Sequence, residues 1–272
     1  MNQPYLASRS MPSPGGRLAH PSWQALTKVP KITLYFWVIK ILTTAMGESL
    51  SDYMVHRFNP YFAVILGFVV FVVAILIQFR KRRYVPWAYW LAVTMVAVFG
   101  TMAADVLHIE FGVPYVASTI FFAIALGIVF TAWYKSERTL SFHSVYTRKR
   151  EAFYWAAVLA TFAMGTAIGD LTAYTAHLGF FSSGLLFAVI LALPAIGYWL
   201  FRLNAIFAFW FAYIMTRPLG ASFADWTGKS HDVGALGWGD GPVALTLAVL
   251  IILLVAYLSV TSKDSPIHHA QN

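Results

Sequence analysis

The chain contains no cysteine, which removes disulfides, thiolate metal sites and cysteine nucleophiles together. Charge is scarce as well: 11% of residues are charged, against 59% hydrophobic and 17% aromatic. That balance excludes an ordinary soluble domain and points to a membrane protein. Missing too are an HExxH zinc motif, a GxSxG elbow and a Gly-rich phosphate loop attached to a nucleotide-binding unit. No enzyme is therefore expected. With no soluble ATPase domain in the sequence, an energised pump is not expected either.

What the chain does have is apolar runs of about 20 residues, the length that spans a bilayer as a helix. They recur at approximately 31–55, 61–79, 86–107, 114–134, 152–175, 180–201, 204–226 and 242–262. The predicted fold is an all-α integral membrane protein of about eight transmembrane helices. Residues 1–27 are rich in Ser, Pro and Gly and lack the apolar core of a signal peptide, so they read as a disordered cytoplasmic tail. Residues 28–262 form the predicted transmembrane domain, and 263–272 a second cytoplasmic tail.

The net charge of +8 follows topology. Arg9, Arg17, Lys28, Lys31, Arg80, Lys81, Arg82, Arg83, Lys135, Arg138, Arg148, Lys149, Arg150, Arg202 and Lys263 fall on one face of an eight-span arrangement, 15 of the 19 basic residues. Basic loops stay cytoplasmic, so both termini are predicted cytoplasmic in a bacterial inner membrane. No nucleic-acid partner is expected. The acids are skewed the other way. Glu48, Asp52, Asp105, Glu110, Asp170, Asp225, Asp232 and Asp240, eight of the eleven, lie in the outer half or outer loops.

Aligning on the glycine before each intramembrane aspartate exposes a fourfold repeat: "FWVIKILTTAMGESLSD" (36–52), "YWLAVTMVAVFGTMAAD" (89–105), "YWAAVLATFAMGTAIGD" (154–170) and "FWFAYIMTRPLGASFAD" (209–225). Each copy reads aromatic, Trp, nine residues, Gly, three residues, a small residue, Asp, without a gap. A second span follows each copy, giving four two-helix repeats at approximately 31–80, 86–135, 151–202 and 204–262. Two spans return the chain to its starting side, so the repeats are parallel, related by an axis along the membrane normal. A ring and a two-plus-two bundle both satisfy this pattern.

Trp37, Trp90, Trp155 and Trp210 open the odd-numbered spans and are expected at the bilayer interface. Gly47, Gly100, Gly165 and Gly220, with Gly169 as the small residue of the third copy, read as close helix-packing positions. The aspartates are the costly feature. Asp52, Asp105, Asp170 and Asp225 lie fifteen residues beyond the Trp, about 22 Å along a helix. A carboxylate in lipid costs about 2.5–3.5 kcal/mol even on lenient scales, so intramembrane acids read as functional by default. Four residues earlier, on the same helix face, stand Glu48, Thr101, Thr166 and Ala221, of which the first three offer oxygen ligands. His56, His108, His177 and His231 follow the aspartates. Carboxylate plus imidazole without thiolate suits divalent Mn, Co, Ni or Zn. Lys40 and Arg217 are basic residues inside spans and the two candidate gating or counter-ion residues. Lys40 can snorkel to the cytoplasm, whereas Arg217, deeper and followed by Pro218, is expected to pair with a carboxylate of a neighbouring repeat as counter-ion or gate.

The segments "KVPKITLYFWVIKILTTAMGESLSDYM", "GTMAADVLH", "GTAIGDLTAY" and "TRPLGASFADW" resemble a bacterial family of uncharacterised multi-span, membrane-anchored proteins built from a repeat of unknown function. The resemblance covers about residues 28 to 262 and implies an integral membrane protein of tandem repeats. It implies no substrate.

The expected function is a membrane transporter or channel for a cation, either a divalent metal or a monovalent ion, with proton coupling through the aspartates. The ion or proton site would be Asp52, Asp105, Asp170 and Asp225 with Glu48, Thr101 and Thr166. No cofactor is expected to be required, and a divalent cation is the candidate bound ion. The expected partners are the lipid bilayer, an inorganic cation or proton, and a second copy of the chain if it oligomerises. The alternative is a structural or sensory membrane protein whose aspartates tie helices together.

Overall fold

A computed structural model describes residues 27–266. Most of the expected tail 1–27, with Arg9 and Arg17, lies outside the described residues, as do 267–272. The described residues form eight long helices: α1 (Leu34–Arg57), α2 (Pro60–Arg80), α3 (Pro86–Ile109), α4 (Tyr115–Glu137), α5 (Arg148–Asp170), α6 (Gly179–Phe201), α7 (Ala205–Gly228) and α8 (Asp240–Thr261). Local sequence marks their starts. Side chains of Thr33, Asn59, Thr147 and Asn204 accept backbone N–H groups of the first turns of α1, α2, α5 and α7, satisfying donors that have no partner within the helix. Pro60 and Pro86 open α2 and α3, where the missing N–H costs nothing.

Six of the eight helices are long and apolar enough to cross a membrane: α2, α3, α4, α5 with its extension to Thr175, α6 and α8. The two that fall short of the eight expected are α1 and α7. They carry Lys40, Glu48 and Asp52, and Arg217 and Asp225, all buried in the protein.

The repeats close into a ring. Helices α1, α3, α5 and α7 each touch the next, and α7 returns to α1. The outer helices are displaced by one position. α2 packs on α3, α4 on α5, α6 on α7, and α8 on α1. The unit repeated in sequence is thus not the unit that packs, because each second helix leaves its partner and buttresses the following repeat. The outer helices turn large apolar side chains outward, among them Ile65 of α2, Ile124 of α4, Leu185 of α6 and Leu253 of α8.

Along the axis of the inner ring, every fourth residue counted back from the aspartates forms a layer. The layers are Glu48, Thr101, Thr166 and Ala221; then Thr44, Ala97, Phe162 and Arg217; then Lys40, Val93, Val158 and Tyr213; then Phe36, Tyr89, Tyr154 and Phe209. All sixteen side chains are buried. A four-residue step drifts slowly around a 3.6-residue helix, so one inward row per helix supplies the whole interior.

The aromatic pair that opens each repeat closes the basic end. Trp90 meets the ring of Phe36 at 5.7 Å, Trp155 that of Tyr89 at 5.7 Å, Trp210 that of Tyr154 at 6.2 Å and Trp37 that of Phe209 at 5.9 Å. Each Trp thus reaches back to the preceding repeat, and the last pair joins the first repeat to the fourth. This corrects the expectation of an interface belt: Trp90, Trp155 and Trp210 are no more than 5% exposed, since ring closure buries them between helices. Trp210 also donates from Nε1 to the carbonyl of Leu140 at 2.9 Å. Trp210→Phe, which keeps the ring and deletes that donor, should cost about 0.5–1.5 kcal/mol, read as a lowered thermal unfolding midpoint in detergent.

Phe142, from the single 3₁₀ turn Phe142–Ser144 between α4 and α5, inserts among Phe36, Phe209 and Tyr154 at 5.6, 4.6 and 5.8 Å. A strap formed by residues 27–33 crosses the same end. The Lys28 N–H donates to Val145, that of Lys31 to Asp264 and that of Tyr84 to Thr27, at 2.9 to 3.1 Å. Lys28 Nζ pairs with buried Glu151 at 2.5 Å, and Gln78 donates to the same carboxylate at 3.2 Å. Tyr84 donates its hydroxyl to Asp264. The packed unit therefore runs from Thr27 through Asp264.

Candidate functional site

The opposite end of the axis holds the acids. Asp52 and Asp225, at the last turns of neighbouring helices α1 and α7, are buried. Asp105 and Asp170, on α3 and α5, are half-buried. All four share one electrostatic neighbourhood, since Asp105, Asp170 and Asp225 each feel the charges of Glu48 and Asp52. Carboxylate oxygens of Glu48, Asp52 and Asp225 lie within 4.8 Å of one another, the separation at which one cation could be shared. Of the four equivalent aspartates, Asp52 and Asp225 thus join Glu48 in this cluster, and Asp105 and Asp170 do not.

The three oxygen-bearing residues one turn inward converge on a different partner. Arg217 is fully buried, and the two hydrogens of its Nη2 are shared among the Glu48 carboxylate, the Thr101 hydroxyl and the Thr166 hydroxyl, the last at 2.7 Å. Thr101 donates in turn to the carbonyl of Ala97 at 3.0 Å, and Thr166 to that of Phe162 at 3.2 Å. One guanidinium therefore ties repeats one, two and three to its own, the fourth. Ala221, where the others carry oxygen, leaves the volume through which a side chain from the layer below can reach. Arg217 pairs across repeats as expected, and its site is the centre of the ring.

Lys40 does not snorkel. Its side chain is 1% exposed and its ammonium sits 4.0 Å from the ring centre of Phe162 and 4.3 Å from that of Tyr213. The layered packing turns it into the axis, where the faces of these two rings take the place of the water that a lysine usually seeks. It makes no hydrogen bond to another described residue.

The glycines sit where neighbouring inner helices come closest. Gly47 of α1 abuts Ala97 of α3, Gly100 of α3 abuts Phe162 of α5, Gly165 of α5 lies against Arg217 and Pro218 of α7, and Gly220 of α7 abuts Thr44 and Ala45 of α1. Gly169 differs: its neighbours Pro218 and Ala221 stand 3.8–3.9 Å from where a Cβ would be.

The four histidines stay outside the carboxylate cluster. Nδ1 of His56 is 2.7 Å from the carbonyl of Asp52, that of His108 is 2.8 Å from Val113 and that of His231 is 3.0 Å from Ala235. Each imidazole thus engages local backbone. His108 also stacks on Tyr115 at 3.7 Å. His177 is exposed, with φ 55. The helix it was expected to continue widens into a π turn, Leu171–Thr175, directly after Asp170, and leaves the aspartate's face. Among the described residues the ligand atoms brought together are oxygen alone, and none of the four expected imidazoles joins them.

One residue that sequence reasoning passed over completes the site. Lys229, the C-cap of α7, places Nζ 2.6 Å from Asp52 Oδ2 and 3.5 Å from Asp225 Oδ1. Burial works against its charge, but the carboxylates of Asp225 and Asp52 outweigh that and push its pKa up. Its position four residues past Asp225, a spacing that brings side chains together on a helix, was the available signal.

No curated protein and no solved structure matches the chain. The family described as Repeat of Unknown Function (DUF347) matches it four times in tandem, over residues 35–84, 88–139, 153–204 and 208–264. Those boundaries coincide with the four inner–outer helix pairs of the ring. With well over half of its length covered by four successive copies, the chain belongs to this repeat family.

Proposed function

We propose that the protein is a membrane-embedded carrier for a cation, with all eight helices in the bilayer, the basic end in the cytoplasm and the acid end facing out of a bacterial inner membrane. The observation that carries the reading is the clustering of the Glu48, Asp52 and Asp225 carboxylates within 4.8 Å at the end of an otherwise filled axis. An acidic mouth concentrates cations by focusing the field. A carrier fits better than an open channel, because Phe36, Phe142, Phe162 and Phe209 fill the axis between that cluster and the basic end.

The all-oxygen ligand set favours hard divalent ions. Carboxylate suits Mn²⁺, Mg²⁺ and Ca²⁺, whereas imidazole suits Zn²⁺ and Ni²⁺, so Mn²⁺ is the probe to choose among the metals first considered. Asp105 and Asp170, across the axis and without an ion-pair partner among the described residues, would exchange protons as the cation is released.

Flux of Mn²⁺ into proteoliposomes should fall at least tenfold in Asp52→Asn and Asp225→Asn. Undiminished flux in both variants would remove the assignment.

A second reading has its own support. Arg217 and Lys229 each join α7 to α1 through an acid, so the charges can be regarded as ties between helices. On that reading the same Asp→Asn variants lose thermal stability, and no cation changes the unfolding temperature of the native chain. On the carrier reading a bound cation raises it, since a ligand that binds only the folded state stabilises that state.

A further inference from the structure

The ammonium of Lys229 lies where a transported cation would lie. It contacts Asp52 and Asp225 directly, and these are two of the three carboxylates that converge. The third, Glu48, is held by Arg217 from the opposite side. Among the described residues no other cation forms an ion pair with Asp52 or Asp225. Resting on the carrier reading above, we propose that Lys229 is a tethered counter-ion that fills the cation site in the absence of substrate, and that a divalent cation binds by displacing it.

Three features support a side chain that can leave. Lys229 is at the very end of α7, where the backbone passes from helical to extended at φ −68 and ψ 164. Its side chain is 23% exposed, so part of it meets solvent. The connection that follows contains Gly234, Gly237 and Gly239, all at positive φ, and the Gly237 N–H donates to the Lys229 carbonyl at 2.9 Å. That bond anchors the backbone, so withdrawal of the ammonium would be a movement of the four-carbon stem alone. A lysine is suited to this task, because its compact ammonium sits on a flexible stem.

Charge balance then selects the substrate. Glu48 and Arg217 cancel. With Lys229 in place, Asp52 and Asp225 carry one uncompensated charge; with Lys229 withdrawn they carry two. A divalent cation that takes the place of the ammonium restores neutrality, whereas a monovalent one in that place leaves one charge uncompensated, so displacement of Lys229 favours divalent ions. The tether also competes with substrate at high effective concentration, which holds affinity down and aids release.

The test uses full-length purified protein and Mn²⁺. Binding is measured by calorimetry for the native chain, Lys229→Met, Lys229→Arg and Lys229→Met combined with Asp52→Asn. Lys229→Met should bind Mn²⁺ at least tenfold more tightly than the native chain, Lys229→Arg no more tightly than it, and the double variant at least tenfold more weakly than Lys229→Met. If the native chain binds Mn²⁺ and Lys229→Met binds it equally or less tightly, the displacement idea is overturned while the carrier reading survives. If neither binds Mn²⁺, or if Asp52→Asn has no effect, the site itself is wrong.

A second measurement needs no variant. Saturating Mn²⁺ should increase acylation of Lys229 by an amine reagent several-fold, read by peptide mass spectrometry against exposed Lys149 as reference. Unchanged or reduced labelling of Lys229 in a chain that binds Mn²⁺ would refute displacement even if Lys229→Met fails to fold.

Discussion

Glu48→Ala is expected to destabilise the protein by about 3–5 kcal/mol, the range for stranding one partner of a buried ion pair. Arg217 has no exposure at all, and without Glu48 it keeps only the hydroxyls of Thr101 and Thr166. Its Nε and Nη1 already lack hydrogen-bond partners among the described residues, so no reserve acceptor can take over. The cost should be largely that of the orphaned guanidinium. It follows that Glu48→Ala combined with Arg217→Met should recover most of the loss, since a pair removed together leaves no buried charge and a methionine fills the space of the arginine stem. Unfolding free energies in detergent for the two single variants and the double variant close the cycle. Additive losses would mean that Glu48 and Arg217 stabilise the ring separately, and the central tie would have to be abandoned.

The place of that tie also shows what sequence alone can reach. The register of Trp37, Gly47 and Asp52, repeated three more times, is written in fixed offsets, and helical periodicity converts offsets into faces without further information. Glu48, Thr101 and Thr166 were legible as neighbours of the aspartates for that reason. Their convergence on Arg217 was not, because it depends on which helices the chain places side by side. The repeat joins α1 to α2 in sequence, whereas α2 buttresses α3 and α8 buttresses α1. Such a displacement leaves no mark on a hydropathy pattern.

The histidines failed for a local reason. His177 shares the face of Asp170 only if α5 continues unchanged, and the π turn after Asp170 breaks that condition, whereas His56 and His108 remain on α1 and α3 with Nδ1 against local backbone carbonyls. The buried tryptophans failed for a global one. Beside a basic loop an aromatic residue reads as an interface anchor, and only the contact of each inner helix with the next, Trp90 on Phe36, Trp155 on Tyr89 and Trp210 on Tyr154, turns three of the four inward. Lys229 was within reach by its spacing from Asp225, but its contact with Asp52 joins the fourth repeat to the first, and no local rule anticipates that.

The seam between those two repeats can be tested by a small change. A methyl group added at Gly220 would collide with the Thr44 side chain and approach the Ala45 backbone nitrogen at 2.9 Å, and one added at Gly47 would approach the Ala97 carbonyl carbon at 2.9 Å. Backbone atoms of a packed helix cannot rotate away as a side-chain tip can, so the helices themselves must separate. Gly220→Ala and Gly47→Ala are each expected to cost about 1–3 kcal/mol, the usual penalty for overpacking, although alanine is the better helix former. Gly169→Ala supplies the contrast, because its Cβ would meet nothing nearer than 3.8 Å. That variant should be neutral or more stable by about 0.4–1 kcal/mol through reduced freedom of the unfolded chain. The difference in unfolding free energy between Gly220→Ala and Gly169→Ala separates close packing from helix propensity, since both add the same methyl group to the interior of a helix. Gly220 meets α1 from α7, the contact that joins the end of the chain to its beginning. Equal stability of the two variants would therefore mean that the fourth repeat does not close on the first, and the shared cluster of Glu48, Asp52 and Asp225 could not form.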